Sequence, residues 1–181
     1  MYSVEERWEL DTIFYTSLTL FSKLSFSTLY HSYWWKDTGY RTDYDFEKRS
    51  INYEGDVNDS SFETNCAEGQ ASVKGYEYNH YSDLLIFPIL PYRLHRTFLI
   101  KFNDPGYGKS QVLEYTVAGT ENIKTCSGKL LRCWIIEHKP ISGFNDYQKF
   151  WISADTGEVL RQLDYLGSMY RYRVKLMIHP W

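Results

Sequence analysis

Near the C-terminus, Tyr170, Tyr172, Val174 and Leu176 alternate with Arg171, Arg173 and Lys175. Alternation with a period of two is the mark of a strand with one dry and one wet face, because successive side chains leave opposite sides of the pleat. The pattern constrains the fold because it closes a series of similar segments that begins near Val112. Gln111 to Ile123 and Leu130 to His138 read as two strands joined through the turn residues Ser127 and Gly128. Tyr147 to Ser153 and Glu158 to Tyr165 follow, separated by the turn Ala154-Asp155-Thr156-Gly157, and Gly167-Ser168 precedes the last strand. A two-residue loop at Ser127-Gly128 sets Cys126 opposite Lys129 and Cys133 opposite Asn122, so these cysteines are not expected to pair.

Upstream, Leu18, Leu20, Leu24 and Phe26 keep one parity while Thr19, Lys23, Ser25 and Ser27 keep mostly the other. This predicts a strand pair reaching Trp34 and Trp35 and ended by Lys36-Asp37-Thr38-Gly39. Tyr40, Thr42, Tyr44 and Phe46 then alternate with Arg41, Asp43, Asp45 and Glu47, a strand whose charged parity belongs in water. Residues 1–15 admit either a short helix or a strand, and 62–75 read as loop with one short edge strand. Ser82-Asp83 ahead of Leu84, Leu85, Ile86 and Phe87 is a helix start, since either side chain can accept from the free amides of a first turn. Pro88 and Pro91 stop this helix early. It has no polar face, so it must be buried against the dry side of a sheet. Thr97 to Phe102 is a further strand.

The expected fold is therefore mainly β: a curved antiparallel sheet, half-barrel in shape, wrapped around one short helix. A length of 181 residues fits a single β-rich domain over 1–181. Aromatic residues make up 18% of the chain, suited to β structure and to a lined cavity. The formal charge of -3 excludes the concentrated basic surface that nucleic acid requires. The longest apolar run, Leu84 to Leu90, is broken by Pro88 and is far too short to span a membrane. Glu5, Glu6 and Arg7 stand where the apolar core of a leader would run, so an exported protein of this sequence is expected to be cut from a longer precursor.

No motif carries a reaction. Gly108-Lys109-Ser110 lacks the earlier glycine of a phosphate loop, because that position is Asn103. His31, His80, His95, His138 and His179 show no metal-ligand spacing, and Cys126 and Cys133 stand as a C-x6-C pair with no second pair. Three cysteines, with Cys66, leave at least one thiol free. The reading is thus non-enzymatic, with no catalytic residue, metal or cofactor. What remains is an aromatic and aliphatic excess on one parity: Tyr44, Phe46, Trp134, Ile136, Phe150, Tyr170 and Tyr172. A curved sheet closing on one short helix leaves apolar space for a lipid or another hydrophobic small molecule. The expected ligand-binding residues are Phe87, Tyr92, Arg93, Arg96, Trp134, Phe150, Tyr170 and Tyr172, with the two arginines placed to meet an acidic headgroup. A structural domain that pairs an exposed edge strand with a protein partner is the alternative, and a hydrolase assembled from distant strands a third.

Tyr115 to Ile123, Ser127 to Cys133, Phe150 to Ser153 and Thr156 to Leu160, together with Asp83-Leu84-Leu85, resemble the C-terminal half of a bacterial exported family of uncharacterised function. The resemblance covers the last hundred residues or so and is made of turn and strand signals. It implies a curved sheet on a helix, similar to the periplasmic carriers that move lipoproteins to the outer membrane, and a periplasmic or cell-envelope location. Pro88 and Pro91 depart from it, standing where a longer helix is expected.

Overall fold

The computed structural model describes residues 1–9, 11–55, 67, 69, 70, 73, 78–103, 111–139, 146–166 and 169–174; for Asn103, Gln111, Asp146, Tyr165, Leu166 and 169–174 it describes the backbone alone. The chain is mainly β, and a short helix spans Asp83–Ile86. Strands β1 (Tyr2–Glu9), β2 (Ile13–Phe21), β3 (Thr28–Trp35), β4 (Arg41–Asp45) and β5 (Ser50–Glu54) form an antiparallel sheet in sequence order. A second sheet, ordered β12-β11-β10-β9-β8-β7-β6, is built from β6 (Tyr78–Asn79), β7 (Thr97–Asn103), β8 (Gln111–Lys124), β9 (Leu130–His138), β10 (Asp146–Ser153), β11 (Val159–Leu166) and β12 (Met169–Val174). This sheet curls into a half-barrel. Bulges in β8 between Val117 and Gly119 and in β10 at Trp151/Ile152 add local bend to the ordinary strand twist. The helix α1 (Asp83–Ile86) lies between two 3-10 turns, His80–Ser82 and Phe87–Ile89.

Two compact units divide the chain, the first comprising Met1–Ser82 with Lys101–Gln111 and the second Asp83–Ile100 with Val112–Trp181. In the first unit, the expected alternation is realised in β4 but reversed in β2, where Thr19 is buried, Leu18 and Leu20 are only half-buried, and Leu24 is exposed beyond the strand. Tyr15, Ser17, Thr19 and Phe21 of β2 are buried on one face, joined by His31 of β3, Thr42 and Tyr44 of β4, and Phe46 just after it. Within residues 1–15, open to either reading from sequence, Tyr2–Glu9 forms β1 and Ile13 opens β2; Trp8 registers opposite Tyr15 and joins an aromatic cluster with Tyr15 and Trp35. The edge strand expected within 62–75 falls largely outside the described residues, and Ala67, Gly69 and Gln70 are helical. The short edge strand that does form is β6, parallel to β7.

In the second unit, α1 and the turn after it sit in the curl of the sheet. Phe87 has no exposed surface, and its ring meets Tyr115 of β8 at 5.2 Å and Phe150 of β10 at 4.9 Å. Burying such an aromatic contributes about 1.5–3 kcal/mol. Pro88 ends α1 by denying the next turn its amide, and the chain continues as a 3-10 turn. The helical stretch begins earlier than the Ser82-Asp83 signal: Asn79 Oδ1 accepts the Tyr81 amide at 3.0 Å and so caps the preceding 3-10 turn.

The β8–β9 hairpin corrects one register. Thr125 N–H donates to the Lys129 carbonyl at 2.8 Å, Gly128 N–H to the Thr125 carbonyl at 2.9 Å, and Gly128 takes φ +84. This is a three-residue loop with glycine in the left-handed position, not the two-residue Ser127-Gly128 loop expected. The extra residue shifts the ladder by one, so Cys133 stands opposite Glu121 rather than Asn122. Cys126 and Cys133 remain free thiols, as the sequence predicts.

Candidate functional site

Alternation along β8 to β11 divides the second unit's sheet into two faces, and in β9 to β11 both carry buried residues. On the face away from α1, Cys133, Ile135, Trp151 and Leu163 form an apolar cluster. Charged groups rim it. Glu121 accepts from Trp151 Nε1 at 2.8 Å and from Lys149 Nζ at 2.5 Å. Lys149 and Arg161 each stand within 5 Å of the Trp151 ring centre, at 4.6 and 4.7 Å. Burial raises the pKa of Glu121, but hydrogen bonds from Lys149 and Trp151 outweigh it and hold the carboxyl below its ordinary range. Burial, helped by Glu121, pushes the Cys133 thiol up to about 11.

The face toward α1 is layered. Its apolar tier consists of Val117, Ile136, Phe150 and Phe87, all nearly without exposed surface. The next tier is polar. Register sets His138 of β9 and Asp164 of β11 on either side of Gln148 of β10. Tyr115 donates its hydroxyl to Gln148 Oε1 at 2.7 Å, and Gln162 Nε2 donates to Asp164 Oδ1 at 2.5 Å. His138 Nδ1 lies 3.0 Å from the Glu114 carbonyl, which can only accept, so the ring proton is on Nδ1 and Nε2 is left as an acceptor. Gln162 Oε1 is buried without a hydrogen-bond partner.

The structure gathers four of the expected ligand-binding residues on this face or at its rim. Phe87 and Phe150 are in the core. Tyr92 stacks on Trp134 at 6.0 Å and donates its hydroxyl to the Phe87 carbonyl at 2.6 Å, and burial raises its pKa. Arg93 and Arg96 are exposed, and Arg96 turns back to the Pro91 carbonyl at 3.0 Å and to the Phe98 ring at 5.7 Å. Tyr172 registers opposite Leu163 and Tyr170 opposite Tyr165. The side chains of Tyr170 and Tyr172 lie outside the described residues.

Sequence reading missed the polar tier. Gln162 and Asp164 alternate with Leu163, a pattern that assigns them to water; in the structure all three are buried. A surface groove of about 360 Å³, lined by His95, Glu114, Thr116, Ala118, Glu137 and Lys139, also went unread. Among the described residues no cluster of three or more His, Cys, Asp or Glu is arranged to hold a metal ion, and no helix is long and apolar enough to cross a membrane.

Residues 2–176 match the family described as protein of unknown function (DUF3108). The chain belongs to that family. The match spans the residues of both compact units, so the five-stranded sheet is as much part of the family's sequence as the half-barrel. No curated protein and no solved structure matches the chain.

Proposed function

We propose that this protein is a non-catalytic binding or carrier module for a lipid or other hydrophobic molecule, working at the bacterial cell envelope. The observation that carries the reading is that the curl of the half-barrel is filled by Phe87, a side chain presented by a helical turn and not by a strand of the sheet. A turn can move while the sheet keeps its ladder. Displacing it would uncover Tyr115, Ile136 and Phe150, an apolar wall with Tyr92 and Trp134 beside it, the usual composition of a ligand pocket. The envelope location is supported by the resemblance of the strand and turn segments to an exported family. The open edge of β1, the end strand of its sheet among the described residues, favours a second reading, in which the protein is an interaction domain that pairs this edge with a partner.

Native mass spectrometry before and after organic extraction tests the two. A discrete lipid-sized adduct, lost on extraction and regained on adding fatty acids or phospholipids, is expected for the carrier. A mass equal to the bare chain under every condition would overturn it in favour of the interaction domain.

A further inference from the structure

Resting on the carrier reading, we propose that the polar tier of the second unit recognises the hydrogen-bond-donating end of an amphiphile, a hydroxyl or an ammonium, while the apolar chain of that molecule takes the place of Phe87. Asp164 Oδ1 can only accept from Gln162, so the nitrogen of the Gln162 amide must face it and the oxygen must face away. That oxygen is buried and has no partner. The Tyr115 hydroxyl proton is spent on Gln148 Oε1, and the His138 ring proton on the Glu114 carbonyl. At Gln162 the tier therefore offers an acceptor whose complement is a donor, while Gln148 Nε2 is a side-chain donor beside it. A buried acceptor left unpaired is costly, and a ligand that brings a donor recovers that cost. The position is right for such an end group: Gln162 registers opposite Phe150, whose ring is in contact with Phe87.

Dodecanol, dodecylamine and laurate have one chain length and three end groups, and their binding to the full chain at pH 8 separates the possibilities. The alcohol and the amine are expected to bind about tenfold more tightly than the carboxylate, the worth of one hydrogen bond to a desolvated acceptor. Gln162→Leu combined with Asp164→Leu, which removes the acceptor without leaving the Asp164 carboxylate short of its amide donor, is expected to erase this preference by weakening alcohol and amine while leaving laurate unchanged. Gln162→Glu gives up the amide donor to Asp164 and sets a second carboxylate beside it, so it is expected to sharpen the preference for the amine; it serves where the double variant does not fold, and an unchanged preference overturns the proposal. Equal binding of the three probes overturns the proposal and leaves the carrier reading intact. So does tighter binding of laurate, which would hand the tier to Arg171 and Arg173, the residues that register opposite Asp164 and Gln162. Failure of all three to bind overturns the proposal and the carrier reading together.

Discussion

The Tyr92 hydroxyl donates to the Phe87 carbonyl at 2.6 Å, and the same carbonyl accepts the Leu90 amide at 3.2 Å. The residue that fills the curl of the half-barrel is thus fixed from behind by a side chain five positions on. Tyr92→Phe removes one of the two bonds and leaves the other. The expected loss is about 1 kcal/mol, the net worth of an intramolecular hydrogen bond. A lower urea midpoint at unchanged slope is the result that supports it; an unchanged midpoint would show that the bond contributes nothing to holding the turn.

Gly157 closes the β10–β11 hairpin at φ +78, and a Cβ there would stand 2.8 Å from the Pro88 carbonyl oxygen. Gly157→Ala meets two penalties, a left-handed conformation worth about 1–2 kcal/mol and a backbone clash. Destabilisation of about 2 kcal/mol or more is expected in denaturant unfolding. Gly128→Ala, at φ +84 with only the Lys124 side chain nearby at 3.8 Å, is expected to cost only the conformational part.

His31 is buried, hydrogen-bonded to Thr19 Oγ1 at 2.9 Å and stacked on Tyr81, and burial lowers its pKa to about 3. The unfolded chain takes up this proton near pH 6.5 and the folded one does not, so stability is complete above pH 6.5 and falls as pH drops toward 3. The expected slope is about 1.4 kcal/mol per pH unit at most within that window. Thermal or urea unfolding at several pH values should show a flatter profile for His31→Gln than for the wild type. Parallel profiles would assign the acid sensitivity to other groups.

Cys126 is exposed and Cys133 is buried with its pKa raised to about 11. Brief treatment of the native protein with iodoacetamide at pH 8, followed by peptide mapping, should label Cys126 and spare Cys133. In urea both should react. Labelling of Cys133 in the native protein would mean that the cluster of Ile135, Trp151 and Leu163 opens readily.

Much of this fold is legible in the residue pattern. Leu130 to His138 is a strand with the bounds the alternation suggests, and the expected short helix falls on Asp83–Ile86, between a polar start and Pro88. The candidate site is legible only in its apolar half. Phe87 and Phe150 stand out as large apolar side chains in the right elements, whereas Gln148, Gln162 and Asp164 look like the solvent side of their strands.

What the sequence by itself determined is periodicity: which stretches are strands, where prolines stop a helix, and which residues share a face. These depend on local backbone geometry, and local geometry is written in neighbouring residues. Only the tertiary structure decided which face meets water and which residues stand opposite one another. Both faces of β9 to β11 are covered, so alternation stops reporting exposure there, and one extra loop residue at Gly128 moves Cys133 from Asn122 to Glu121. Register and burial are set by how elements close on each other over long sequence separations, and no short window of residues contains that information.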